Sequence, residues 1–595
     1  MGKWESMPAP DEDLLRRYLE ELSWLRSMGA RFRKDHGDVA RRLELDGNVC
    51  PDPHVERLIE SFAFLTARIQ SDLADDFPEI AAELLQTLYP HFLNPIPSMT
   101  IVRFDPKQKL ADGALIPRDT PLFVHTEEGD VCRFRTRYPV ELWPIEVVDV
   151  SMADAFAFRH SGRRSAVSVL RLRLHATSEP FEKLSVDTLR FFLNNETLVS
   201  SLYPLLRAAA VVPRDSFDLA GGGELDVAAV GFADDEDVIH VPRLSHPSYR
   251  LLQEYFAFEP KFHFVDVKGL RGRMTGEDAD LLFLLDAALP AQAALHHDDF
   301  VLGCTPAINL FEKTSEPIRV NHRTIEYRVV PDYRREASTA VHSIRSVSGS
   351  SNAAKTSREY ARFYSFTHAM AAAEQSAFWH ARRDGDDVYL SFRDTAFNPA
   401  MPGDEVVYAH LLCTNGDYAA EIAAGHPLQC DQELPVKSIV SLRKPTRPLR
   451  PPRGGEQLWR LVSHLSLNHL SLDGGDDALR ALREILLLYC PPEVPVPRRR
   501  IDGIKSVASS KVTKRVENAW NGFVRGTRIT LVFDDALMAD NGYLFASVLS
   551  RFFGMHASIN SFSQLVVQRD DGGDGRFHDK KGMQWPIMTG GKPVR

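Results

Sequence analysis

The sequence offers no disulfide framework, no membrane span and no excess of positive charge. Its six cysteines (Cys50, Cys132, Cys304, Cys413, Cys430, Cys490) are scattered over 595 residues without a CxxC pair. That distribution suits buried single thiols in a reducing compartment better than a secreted disulfide scaffold. No apolar run approaches the ~20 residues that cross a bilayer; the nearest, 281–289, is broken by Asp286 and stops at Pro290. Residues 1–11 lack the basic start and apolar stretch of a secretory signal, so a cytoplasmic protein is expected. Lys and Arg number 71 against 81 Asp and Glu, a formal net charge of −10. Nucleic-acid binding in general calls for the opposite balance.

The usual carriers of chemistry are missing as well. There is no GxSxG nucleophile elbow and no GxxxxGK[ST] phosphate loop. Gly221–Gly223 has no lysine and helix behind it, and reads as a loop tip. His296, His297, Asp298 and Asp299 are consecutive, so their side chains diverge on any regular element, and a solvated loop is the simpler reading than a metal site. His464 and His469 lack the intervening Glu of a zincin helix. Cys413 and Cys430 have no second ligand at zinc-finger spacing. Asp384-Gly385-Asp386-Asp387 reads as a turn, and Asp534-Asp535 as the end of a strand without a base–nucleophile partner. Arg498-Arg499-Arg500, with Lys505, Lys511, Lys514 and Arg515 beyond, has few interleaved aromatics. It reads as an exposed basic segment able to meet phosphate or an acidic protein. No catalytic, cofactor-binding or metal residue is assigned, and no cofactor is expected.

What is present is a change of period along the chain. Leu15, Tyr18, Leu22, Leu25, Met28 and Phe32 recur every three or four residues and predict an amphipathic helix. Val55, Leu58, Phe62, Leu65, Ile69 and Leu73, widened by Phe64, predict a second helix capped by Asp52 with Pro53 at its start. Ile80, Leu84, Leu85 and Leu88 predict a third, before Pro90, Pro95 and Pro97 stop the pattern. Short β-like runs follow at 101–104, 122–125, 132–137 and 145–150. The run 167–174 alternates, with Leu170, Leu172 and Leu174 on one side. Further strands are expected at 189–193 and 262–267, and helices at 201–210 and 249–256. Near the C-terminus helices are expected at 478–489 and 543–553, and strands at 527–533 and 561–568. Ser-rich 346–357 and the Pro/Arg-rich 444–455 and 491–500 read as linkers or loops. The fold class is α+β and multidomain: a helical region 1–97, a β-rich middle 98–345, a linker or loop 346–360, a mixed α+β domain 361–569 and a flexible tail 570–595.

Several segments together resemble the TssF family, baseplate subunits of the bacterial type VI secretion system. They include Tyr18-Leu19-Glu20-Glu21-Leu22, Asp52-Pro53-His54-Val55-Glu56-Arg57-Leu58, Asp76-Phe77-Pro78-Glu79 and Pro95-Ile96-Pro97-Ser98-Met99. Cys304-Thr305-Pro306 with Asn309-Leu310-Phe311, Leu411-Leu412-Cys413-Thr414-Asn415, Arg525-Gly526 and Asn560-Ser561-Phe562 continue the match. His342 and His469 stand where aromatic residues are expected, and Ala546 where a Gly is.

The resemblance implies a non-enzymatic wedge subunit whose organisation is similar to that of contractile phage-tail baseplate proteins. It would pair with TssG and a second TssF copy and bind TssK. Gathered with TssE and the spike at the cytoplasmic face of the inner membrane, it would seed the contractile sheath, with no direct membrane insertion and no nucleic acid. N-terminal helices of several chains would share a core bundle, so Leu15, Tyr18, Leu22 and Leu25 are the interface candidates. The alternative is an enzyme with a dispersed active site that no single sequence reveals.

Overall fold

The computed structural model describes residues 92–590, leaving out 108–109, 111, 127–128, 155–165, 217–224, 230–236, 240–246, 291–294, 322–323, 351–356, 364–376, 395–404, 452–475, 491–494, 516–522, 539–541, 559–560 and 570–581. Before residue 92 it describes Tyr18, Leu19, Leu22, Arg57, 60–66, Arg68, Leu85 and Tyr89. The chain divides into two compact units, Met1–Leu93 with Pro452–Asn468, and Asn94–Pro451 with His469–Arg595. In the first unit Tyr18, Leu19, Leu22 and 60–66 are helical, as the 3.6-residue period requires. The second unit is mostly strands, so the α+β class holds.

The second unit is organised around a five-stranded antiparallel sheet. Its order is Val436–Ser441, Met99–Pro106, Cys304–Ile308, Val131–Thr136, Pro121–His125. Met99 and Ile101 join Cys304 and Ile308 in one core, while Val102 and Phe104 join Leu122, Val124 and Phe134 in another. Period-2 alternation thus buries both faces of one sheet. The Pro/Arg-rich stretch expected as a linker at 444–455 is tied to this sheet over its described part. Thr446 N donates to Met99 O at 2.9 Å, and Leu449 and Ile96 exchange backbone bonds of 2.8 and 2.9 Å.

Two asparagines lock the sheet to its neighbour. Asn415 Oδ1 accepts from Arg133 N at 2.9 Å and from Asn309 Nδ2 at 2.8 Å. Asn415 Nδ2 donates to Val131 O at 3.1 Å and Ser338 O at 2.8 Å. Asn309 Oδ1 accepts from Asn415 N at 2.7 Å and its Nδ2 donates to Arg133 O at 2.7 Å. Both side chains are buried, with every amide group paired. Thr305 does the same on the next edge, accepting from Tyr138 N and donating to Tyr138 O, both at 3.1 Å.

Two four-stranded sheets enclose an extensive apolar cluster. One is ordered Ile145–Asp154, Ser168–Ala176, Asp278–Leu285, Leu206–Pro213; the other Asp226–Ala229, Phe264–Lys268, Thr188–Leu193, Phe300–Val301. Leu170, Leu172, Leu174, Leu281 and Phe283 meet Leu189, Phe191 and Val265 between them. The helix expected at 201–210 is displaced: Glu196–Leu205 is helical and Leu206–Pro213 is a strand. Asn195 sets the helix start by accepting from Thr197 N and Leu198 N. The apolar run 208–212 satisfies either period, and pairing with Asp278–Leu285 decides for strand.

The 346–360 stretch also holds strand. Ala340–Ser350 pairs along Glu405–Thr414, and its end pairs with Ser357–Tyr360. Val347 and Gly349 are buried in an otherwise polar run, and two buried positions two apart suffice for a strand. Asp384-Gly385-Asp386-Asp387 is the expected hairpin turn between Ala377–Asp384 and Asp387–Asp394, with Gly385 at φ 61°.

The C-terminal part is a sheet ordered Ile504–Arg515, Phe523–Phe533, Phe562–Arg569, Met583–Gln584. The middle pair is parallel, so a crossover is required, and the helix Gly542–Met555 lies within it. Its Phe545 stacks on Tyr255 at 5.6 Å and Phe533 at 6.1 Å, joining it to the helix Pro247–Ala257. The expectation of a flexible tail at 570–595 is corrected for its described part. Met583–Gln584 and Met588–Thr589 pair with Phe562–Arg569, and buried Trp585 donates Nε1–H to Ser547 Oγ at 3.0 Å. Gly, Asp and Lys set the average composition there, but Met583, Trp585 and Met588 find an apolar sheet edge to cover.

The linker expected at 491–500 is corrected too, since Pro495–Asp502 is helical. Arg500 is buried, donates to Glu259 at 2.5 Å and Tyr255 Oη at 2.8 Å, and lies over the Tyr255 ring. Burial pushes the Glu259 carboxyl up, but His263 and Arg500 beside it outweigh that and hold it below the usual glutamate range.

Two outcomes follow for stability. Asn415→Ala strips partners from Arg133 N, Asn309 Nδ2, Val131 O and Ser338 O, at about 1–3 kcal/mol for each group left buried and unpaired. The urea midpoint of the purified chain is expected to drop clearly, and an unchanged midpoint would contradict the lock. Glu259 ionises more readily in the folded chain than in the unfolded one. Its stabilisation is therefore complete above the unfolded glutamate pKa of about 4.3 and is lost as pH falls through its lower folded value. An Arg500→Met chain should show its largest deficit at neutral pH and approach the parent in acid. A deficit that stays constant across that range speaks against the pair.

Candidate interaction surfaces

The thiols are placed for packing. Burial, with Asp130 and Glu421 nearby, pushes Cys132 up to about 12, and burial pushes Cys413 to about 12 and Cys490 to about 11. Such groups stay protonated at neutral pH and are poor nucleophiles. Cys50 lies outside the described residues.

His296, His297 and Asp298 are closer together than their spacing predicts. They sit in a 3-10 turn at the start of the strand Phe300–Val301, with ligand atoms within 4.8 Å of one another, all three exposed. His296 N donates to Asp299 Oδ2 at 2.8 Å, which closes the turn and swings the rings together. Asp534 and Asp535 are held by local structure: Asp534 Oδ1 accepts from Ala536 N at 2.9 Å and pairs with Lys505, while Asp535 pairs with Arg569. Gly221–Gly223, His464 and His469 lie outside the described residues. His342 and Ala546, the departures from the family pattern, are both buried.

The basic cluster divides. Arg498 and Arg499 are exposed, whereas Arg500 is the buried partner of Glu259. Lys505, Lys511, Lys514 and Arg515 lie on the strand Ile504–Arg515 and belong to an ordered ribbon, not to a free interdomain segment.

The N-terminal candidates meet different fates. Leu22 is 7% exposed within the chain itself, Tyr18 is half-buried, and their neighbour Leu19 is 54% exposed. Leu15 and Leu25 lie outside the described residues. The second predicted stripe behaves contrary to its apolar pattern. On the helical stretch 60–66, Phe62 is 57%, Phe64 46% and Leu65 53% exposed, while Ala63 is fully buried. The helix turns its smallest apolar residue inward and its largest outward. Three large side chains within one turn of the helix, opposite Ala63, form an exposed apolar face among the described residues, the kind of surface that marks contact with another molecule. Sequence periodicity located the stripe, but no pattern in one chain says which side of it faces its own core. Among the described residues no helix is long and apolar enough to cross a membrane.

Comparison with known proteins identifies the family. The family described as "Type VI secretion system, TssF" matches residues 10–592. The type VI secretion system component TssF1 of Pseudomonas aeruginosa is 31% identical, over 98% of this chain and 99% of its own length. A chain from a cryo-electron microscopy structure of the type VI secretion system TssK-TssF-TssG baseplate subcomplex is similar with a TM-score of 0.69. The two are 26% identical, over 89% of this chain and 98% of that one. A chain from the baseplate complex of a type VI secretion system shares the fold with a TM-score of 0.56 at 24% identity, over 93% and 96% of the two chains. Matched over nearly its whole length, the chain belongs to the TssF family of type VI secretion system baseplate components, a structural family and not an enzyme family.

Proposed function

We propose that this chain is a baseplate wedge subunit that pairs with TssG and with a second copy of itself through its N-terminal helical region. The observation that carries the reading is the exposed face of Phe62, Phe64 and Leu65 beside buried Ala63. About half exposed, those three side chains forgo roughly half of the ~1.5–3 kcal/mol that full burial of each would give. A helix from another chain laid along them recovers it, which is the arithmetic of a shared bundle. Leu15, Tyr18 and Leu25 extend the same interface along the leading helix, whereas Leu22 is buried within its own chain. The naming of TssK and TssG in the similar subcomplex supports both as partners.

In this reading the region 1–97 supplies the shared bundle and the β-rich remainder reaches neighbouring wedges. The assembled ring gathers TssK, TssE and the spike at the cytoplasmic face of the inner membrane and seeds the contractile sheath. The chain performs no chemistry; it stores geometry, and firing switches the interfaces between two arrangements.

Co-expression with TssG tests the assignment. A Phe62→Asp, Leu65→Asp chain should keep the circular dichroism spectrum of the parent, since both positions are exposed, and lose TssG on affinity purification. Leu15→Asp, Leu25→Asp should lose it too. Undiminished TssG recovery by a well-folded Phe62→Asp, Leu65→Asp chain would sink the idea.

A further inference from the structure

Among the described residues the strand Ile504–Arg515, at twelve residues, stands at the edge of its sheet and pairs on one side only, with Phe523–Phe533. Such an edge presents a row of free backbone N–H and C=O groups, and long ones are normally blunted by proline, bulges or a covering element. The start of the strand is covered, since the helix Asp476–Tyr489 packs against it and Arg483 donates to Ile504 O at 2.8 Å; its single register shift lies there too, between Ile504 and Ser506, and beyond it no proline interrupts the strand. From Gly526 onward the Phe523–Phe533 strand has Phe562–Arg569 as a further neighbour, so the end formed by Thr513–Arg515 and Phe523–Arg525 is a two-stranded ribbon.

The charge of this ribbon runs against the chain. Its two strands carry Lys505, Lys511, Lys514, Arg515, Arg525 and Arg528 and no acidic residue, in a protein of net charge −10. Lys505 pairs with Asp534. The other five have no ion-pair partner among the described residues; Lys511 and Lys514 reach Thr527 Oγ1 and Gln564 Oε1 instead. The cross-strand register puts Lys511, Arg515, Phe523 and Arg525 on one face of the open end, with Phe523 69% exposed.

We infer that the edge of this strand over 508–515 docks an acidic, extended segment of a partner protein as an added strand. The unpaired backbone groups supply affinity and the uncompensated cations choose the guest, the division of labour seen in strand addition generally. A second copy pairing edge to edge would bring lysine against lysine, which the charges forbid. A polyanion without a peptide backbone would satisfy the cations and leave the edge empty, so the guest is a polypeptide and not a nucleic acid. This surface lies in the second compact unit and does not depend on the helix-face assignment for TssG.

The test uses the purified full-length chain and three fluorescent probes: a twelve-residue peptide alternating Glu with Thr, its Lys–Thr counterpart, and the Glu–Thr peptide N-methylated at alternate residues. The Glu–Thr peptide should bind, weaken about tenfold or more from low to physiological salt because the pairing is exposed, and protect the 508–515 amides from hydrogen exchange. The other two peptides should bind at least about tenfold more weakly, one for charge and one for its lost backbone donors. A Lys511→Glu, Arg515→Glu, Arg525→Glu chain with an unchanged circular dichroism spectrum should invert the charge preference. Absence of Glu–Thr binding overturns the inference, as does equal binding of the N-methylated peptide, which would reduce the ribbon to an ion exchanger. Tighter binding of a short DNA duplex, competing with the peptide, also overturns it in favour of nucleic acid.

Discussion

The second unit depends on one strand having neighbours from distant parts of the chain. Met99–Pro106 lies between Cys304–Ile308 and Val436–Ser441, so its register is fixed by residues roughly two hundred and more than three hundred positions away. Closing loops of that size costs chain entropy that rises only slowly with length, and it is recovered when both faces of the strand are buried at once. Long-range closure fixes position only if the register cannot slip, because a one-residue shift would exchange the two cores. The lock against slipping is polar. Asn309, Asn415 and Thr305 satisfy backbone groups of three separate segments from inside the protein, and a shifted register would leave each amide unpaired in a dry site.

This accounts for which parts of the fold were legible in the sequence. Strands with clean alternation, such as Ser168–Ala176 with Leu170, Leu172 and Leu174, announce themselves because their burial is one-sided. The run 206–213 and the tail around Trp585 were misread, since their state is decided by a neighbouring strand far along the chain and not by local period. Asn309 and Asn415 were visible only as letters in a family motif. No local rule marks an asparagine as a buried four-way connector; the partners that make it one lie 77 to 284 residues away.

The interaction surfaces were legible in the same divided way. The spacing of Phe62 and Leu65 gives an amphipathic helix, but whether the apolar side faces its own chain depends on what the rest of the unit covers. The pattern of Lys511, Lys514 and Arg515 gives a basic cluster, but its meaning changes once the residues are placed on a sheet edge without carboxylates opposite. Arg500, one residue away from the exposed Arg499, turned out to be a core residue with Glu259 as its counter-ion. Composition therefore grouped side chains whose physics is opposite: one cation neutralised and dry, the others wet and unmatched.

The two surfaces also differ in what governs them. Apolar contacts between helices gain from water release and are largely indifferent to salt, so a bundle built on Phe62, Phe64 and Leu65 would persist through changes elsewhere. A strand held at a charged, solvent-exposed edge is screened over about a Debye length and exchanges more readily. A baseplate needs both kinds of contact, since a wedge that came apart on firing could not transmit force, and contacts that never yielded could not switch. The sequence separates the two physically: aromatic and aliphatic side chains without charge at 62–65, cations without anions on the strands 504–515 and 523–533. On that view the net charge of −10 is not a property of any one face; the basic ribbon is the exception that the rest of the surface makes conspicuous to an acidic strand.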